Sequence, residues 1–106
     1  MPDFLGVMKQ AAELKSKMDA MQAELDTAEV EGTSGGGLVA VRLSGKGDMK
    51  GVRIDASLIK PGEKEIIEDL IVAAHAEARR KVATLMEEKM KAVTGGLPLP
   101  PGLKLF

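Results

Sequence analysis

A seam of apolar residues near the start of the chain most narrows what it can fold into. Phe4, Val7, Ala11, Leu14, Met18, Met21, Leu25 and Ala28 follow one another at steps of 3, 4, 3, 4, 3, 4 and 3. A helix turns once every 3.6 residues, so alternating steps of three and four hold these side chains on one stripe. A stripe of this length predicts a long helix laid against another helix. It runs over residues 4–29, with Asp3 as its N-cap and Gly32 closing the pattern.

From Val30 the pattern changes. Leu38 to Leu43 reads as a strand, rich in β-branched residues and broken by Arg42. Ser44-Gly45-Lys46-Gly47-Asp48 is a turn cluster, and Met49 to Asp55 reads as the returning strand of a hairpin. Val30 to Ser34 supplies a further short strand, so three antiparallel strands fall within residues 30–55. Pro61 keeps Lys60 out of a helix. Over residues 63–94 Ile67, Ile71, Ala74, Ala78, Val82, Leu85 and Val93 recur at helical spacing, close to an 11-residue repeat. Gly95 and Gly96 stop that helix, and the Gly/Pro-rich tail over residues 95–106 reads as extended. The order is α-β-β-β-α, an α+β fold in a single domain over residues 1–94.

Helix length decides the shape. About 25 residues at 1.5 Å each span roughly 38 Å, and about 32 span roughly 48 Å. A compact domain of this chain length has a diameter of roughly 33 Å. Both helices outrun such a globule, so the molecule is expected to be elongated. Two helices and a three-stranded sheet leave apolar surface and a strand edge uncovered. A homodimer with the two small sheets joined or packed together is the economical remedy.

Several functions are excluded by what is missing. The chain has no Cys, so thiolate chemistry, disulfides and Cys-type zinc sites are out. No apolar run nears the roughly 20 residues that cross a bilayer, and the N-terminus lacks the features of a secretory signal. A cytoplasmic protein away from membranes is expected. Gly35-Gly36-Gly37 suggests a phosphate cradle, but it opens a strand and not a helix. A Walker A loop would need a first glycine where Ala40 stands, and Gly47 follows Gly45-Lys46 in place of Ser or Thr. The run reads instead as a bend or bulge at the start of a strand, or as a close backbone approach across a dimer interface. His75 is the only His, and no nucleophile–base–orienter set is visible. Glu68-Asp69 and Glu87-Glu88 are neighbours whose side chains diverge by about 100° on a helix. No catalysis, metal, cofactor or small-molecule substrate is expected.

Charge is more informative than its total. The net charge is −1, which is poor for a nucleic-acid binder taken whole. Its distribution is uneven. Residues 8–18 hold Lys9, Lys15 and Lys17 against Glu13, a balance of +2, while residues 19–31 balance to −5. Residues 79–91 hold Arg79, Arg80, Lys81, Lys89 and Lys91 against Glu87 and Glu88, a balance of +3, while residues 63–77 balance to −4. If the helices pack antiparallel, both basic segments lie together, far from the sheet. Such arms could straddle a duplex through its phosphates, a contact independent of sequence and sensitive to salt. The plainer reading is two solvated helix faces with local ion pairs. The absence of Trp and Tyr argues against base stacking on single strands.

Short stretches along the whole chain carry a resemblance. Met8-Lys9-Gln10-Ala11, Gly35-Gly36-Gly37-Leu38-Val39, Arg53-Ile54-Asp55 with Leu58, Glu68-Asp69-Leu70-Ile71 with Ala73-Ala74, and Gly96-Leu97-Pro98 with Pro101-Gly102 fall in order and at matching spacing. In these the sequence resembles the YbaB/EbfC family of bacterial nucleoid-associated DNA-binding proteins. His75 departs from the Asn usual there, and the glycine-rich leader of many members is missing. The resemblance implies a tweezer-shaped homodimer that binds double-stranded DNA and alters its conformation. It implies a place on the nucleoid, and no enzyme activity or cofactor. It brings no agreed set of DNA-contacting residues. Lys9, Lys15, Lys17, Arg79, Arg80, Lys81, Lys89 and Lys91 are DNA-binding candidates on charge alone. The alternative from the heptad seam is a coiled-coil adaptor that binds a protein through its helical arms.

Overall fold

The computed structural model describes residues 4–94. The N-cap expected at Asp3, the helix stop at Gly95 and Gly96, and the tail over residues 95–106 lie outside the described residues. The elements run α1 (Phe4–Thr27), β1 (Glu29–Ser34), a short turn of helix at Gly35–Gly37, β2 (Val39–Ser44), β3 (Met49–Ile54), a second short turn at Ala56–Leu58, and α2 (Lys64–Thr94). The three strands form one antiparallel sheet in the order β1-β2-β3. The molecule measures 74 × 27 × 16 Å, elongated as the helix lengths require.

The first helix ends at Thr27, two residues before the position expected from the sequence. Ala28 continues the apolar stripe but is the hand-over to the sheet. Its N–H donates back to Glu24 at 2.9 Å, while its carbonyl accepts from Gly45 N–H at 3.0 Å. Gly32 is not a helix breaker; it lies in the middle of β1.

The main core sits between the sheet and α2. Val39, Val41 and Leu43 of β2 are fully buried on the face that meets Ala74, Ala78 and Val82 of α2. The period-2 alternation of β2 thereby meets the helical stripe of α2. The alanines let the helix come close, and Gly32 lets it come closer still. A Cβ on Gly32 would stand 2.2 Å from the Ala74 carbonyl oxygen and 2.3 Å from Ala78 N. This close approach is within one chain, between β1 and α2.

Gly35, Gly36 and Gly37 have φ of +61°, +69° and +96°. Side chains of L-residues rarely tolerate that region, so three successive glycines permit the tight link from β1 to β2. No long helix follows the loop; β2 does.

Asp55 closes β3 and caps the turn at Ala56–Leu58, its Oδ2 accepting from Ser57 N at 3.0 Å. The Ser57 hydroxyl first, then the Ser57 N–H and the nearby Arg53, hold its carboxyl below the ordinary value of 3.8. A depressed acid stabilises the fold above its unfolded value, and that contribution is lost as pH falls through the folded value. Asp55→Asn is therefore expected to abolish only the part of acid unfolding that sets in below about pH 3.8. Urea titrations at pH 3 and pH 6, of wild type and variant, check it.

Candidate nucleic-acid interface

The arm is built where α2 outruns the sheet and meets α1. Lys89 Nζ lies 2.7 Å from Glu24 Oε2. Met21 and Leu25 of α1 are buried with Met90 and Val93 of α2, flanked by Met18, Leu85 and Met86. A shallow groove is lined by Val7, Ala11 and Leu14 of α1 with Val93 of α2. The two helices are thus antiparallel, as the charge pattern required for its basic halves to meet.

The seam is only half used among the described residues. Met18, Met21 and Leu25 pack on α2, whereas Phe4, Val7 and Leu14 are 72%, 56% and 37% exposed. Val93, one residue before the last described residue of α2, shares its groove with Val7, Ala11 and Leu14.

The eight candidate cations fall into three groups. Lys9, Lys17 and Lys91 lie on the arm, exposed, with no ion pair among the described residues. Lys15 and Lys89 lie on the arm as well but are engaged, Lys15 with Asp19 at 3.1 Å and Lys89 with Glu24. Arg79, Arg80 and Lys81 are elsewhere. They belong to the part of α2 that flanks β1, next to Ala78 and its contact with Gly32. Lys81 Nζ donates to the Glu31 carbonyl of β1 at 2.6 Å and lies 3.4 Å from Glu77 Oε1. The expectation that both basic segments lie far from the sheet thus holds for Lys89 and Lys91 and is corrected for residues 79–81. A charge count along the sequence cannot see this, because the partner of Lys81 is 50 residues away.

Of the remaining described cations, half are neutralised in place. Arg42 pairs with Glu29 at 3.5 Å, Arg53 with Glu31 at 3.3 Å and Lys46 with Asp26 at 2.9 Å. Lys50, Lys60 and Lys64, outside the candidate set, are exposed with no ion pair among the described residues. Freedom from pairing alone does not single out a site. What distinguishes Lys9, Lys17 and Lys91 is their place on a projecting pair of helices. Exposed ammonium groups on a rod can follow a phosphate backbone without reading bases.

Among the described residues no group of three His, Asp or Glu side chains could hold a metal ion. No described helix is long and apolar enough to cross a membrane.

A small sheet carrying two antiparallel helices, with unpaired cations on the projecting part, defines an arm-and-sheet protein. The chain belongs to the YbaB/EbfC DNA-binding family, whose model matches residues 1–97. It is 67% identical over 105 residues to a nucleoid-associated protein of Rhodopseudomonas palustris, covering 99% of each chain. It is 65% identical over 102 residues to a nucleoid-associated protein of a Bradyrhizobium species, covering 96% of each. The fold is similar to the crystal structure of an uncharacterized protein from Helicobacter pylori, with a TM-score of 0.69 at 20% identity. That likeness covers 92% of this chain and 100% of the other.

Proposed function

We propose that this chain is a homodimeric nucleoid-associated protein of the bacterial cytoplasm that grips duplex DNA by its phosphate backbone and changes its conformation. It acts by binding and not by catalysis. The observation that carries the reading is the set of exposed, unpaired cations on the projecting helices, Lys9, Lys17 and Lys91, in a chain of a DNA-binding family. Lys15 and Lys89 join them by exchanging a carboxylate partner for a phosphate. Such exposed pairs are worth only about 0–1 kcal/mol, so little opposes the exchange. Arg79 and Arg80 extend the contact towards the sheet, and Lys81 holds β1. Two arms per dimer supply enough cations to hold a duplex against a net charge of −1.

The combined variant Lys9→Ala, Lys17→Ala and Lys91→Ala tests the placement. Its affinity for duplex DNA should fall, and the dependence of log K on log salt should flatten by about 0.9 for every phosphate contact removed. Fluorescence anisotropy across a salt series measures both. Unchanged affinity and slope would remove the site from the arm.

One observation favours a second reading. Phe4, Leu5, Val7 and Met8 leave an apolar strip exposed on α1, as a coiled-coil adaptor for a protein partner would. Recovery of one stoichiometric protein partner, insensitive to nuclease, would favour it over DNA.

A further inference from the structure

The apolar side chains at the start of α1 play no part in the grip on DNA proposed above. Phe4, Val7 and Leu14 continue the seam that Met18, Met21 and Leu25 close against α2, and Leu5 and Met8 are exposed beside them. A contiguous apolar strip of this kind marks a surface that something covers. Its inner end is a groove that Val7, Ala11 and Leu14 share with Val93 of α2, together with Gln10, Glu13 and Lys17. α2 runs antiparallel to α1, so the chain leaves Val93 heading towards Phe4.

One stretch singled out in the sequence is absorbed by neither the fold nor the grip: the run from Gly96-Leu97-Pro98 to Pro101-Gly102 and beyond. Residues 95–106 hold five large apolar side chains, Leu97, Leu99, Leu103, Leu105 and Phe106, and one charged one, Lys104. Pro98, Pro100 and Pro101 bring no N–H that an apolar surface would leave unpaired. Prolines also narrow the conformations open to a free segment, so laying it down costs less entropy.

We propose that residues 97–106 dock on the start of α1 of the same chain. Leu97 and Leu99 enter the groove at Val7, Leu14 and Val93, and the residues after them follow α1 towards Phe4. Attachment decides the occupant. Joined to Val93 through Thr94, Gly95 and Gly96, the segment meets the groove at an effective concentration on the order of mM, which a separate partner would have to match. Length agrees: Leu97 to Leu103 spans roughly 19 Å at about 3.1 Å per residue, and Leu14 to Phe4 spans roughly 15 Å at about 1.5 Å per residue. Charge agrees as well, since Glu13 has no ion pair among the described residues and Lys104 is the one charged side chain of the segment. Docking completes the seam and stiffens the part of the arm that carries Lys9. Neither the homodimer nor the grip on DNA is needed for it, so both outlive its failure.

The leucines of the segment lie outside the described fold, so the full chain carrying Leu97→Ser, Leu99→Ser and Leu103→Ser keeps that fold. Hydrogen exchange of wild type and variant is followed at a low and a high protein concentration. The readout is the amides of residues 8–14, whose carbonyl partners lie within α1, with the β2 amides as reference. Docking predicts that residues 8–14 exchange on the order of tenfold faster in the variant at both concentrations, the least that burying a Leu side chain gives. The β2 amides should stay unchanged. Equal exchange at residues 8–14 in the two proteins overturns the docking and leaves the strip to a separate protein. A difference that vanishes at low concentration overturns docking within one chain and places the segment on the arm of a second copy.

Discussion

Gly32→Ala will destabilise the fold by about 3 kcal/mol, the upper end of the cost of overpacking a core. The methyl would stand 2.2 Å from a backbone oxygen and 2.3 Å from a backbone nitrogen of α2. A flexible side chain could swing aside; a helix backbone must move whole. Moving it separates Ala74 and Ala78 from Val39, Val41 and Leu43, which form the main core. Gly36→Ala makes the contrast. No atom lies within 4 Å of its Cβ position, but its φ is +69°, so the cost is that of left-handed backbone, roughly 1–2 kcal/mol. Urea unfolding at one protein concentration compares the two. Gly36→Ala proving the more damaging would show that helix–strand approach does not limit the core.

Leu25→Ala will loosen the arm. Leu25 is 2% exposed, in a small cluster with Met21, Met90 and Val93 that fastens α1 to α2. Truncating a buried Leu costs about 2–5 kcal/mol. Here the loss falls on a local contact and not on the sheet core. Hydrogen exchange should therefore quicken along α1 and the last turns of α2 while the β2 amides stay protected, since proteins open in local units. DNA affinity should fall with it, because Lys9 and Lys17 of α1 would no longer be held in place by α2. Rapid exchange spread evenly over α1 and β2 would mean that arm and sheet open as one.

Much of the fold was legible in the sequence, for reasons tied to particular residues. The step pattern from Phe4 to Leu25 is a direct image of helical periodicity. Val39, Val41 and Leu43 alternate as a strand must. The step from Gly35 to Gly37 into a strand argued against a nucleotide loop, and three positive φ values explain the glycines. Less legible was anything that depends on where α2 passes over the sheet. The same lysine-and-arginine density at residues 79–81 and 89–91 reads alike along the chain. Only the three-dimensional path separates Lys81, which holds β1, from Lys91, which stands exposed on the arm. Half of the heptad seam is also unsatisfied among the described residues, because periodicity reports an apolar stripe and not how far its neighbour extends. Gly32 carries a second signal: a lone glycine beside β-branched residues marks close approach as readily as a helix end.

Cations that meet phosphate are central to the proposed function, and salt tests that contact directly. Duplex DNA of unrelated sequences should be titrated with the full chain near 50 mM and near 200 mM salt. A protein making roughly 6–10 phosphate contacts loses about 10³–10⁵ in affinity over that interval, with little dependence on sequence. A loss of that order, alike for each duplex, is the predicted result; no binding at low salt, or affinity indifferent to salt, contradicts the account.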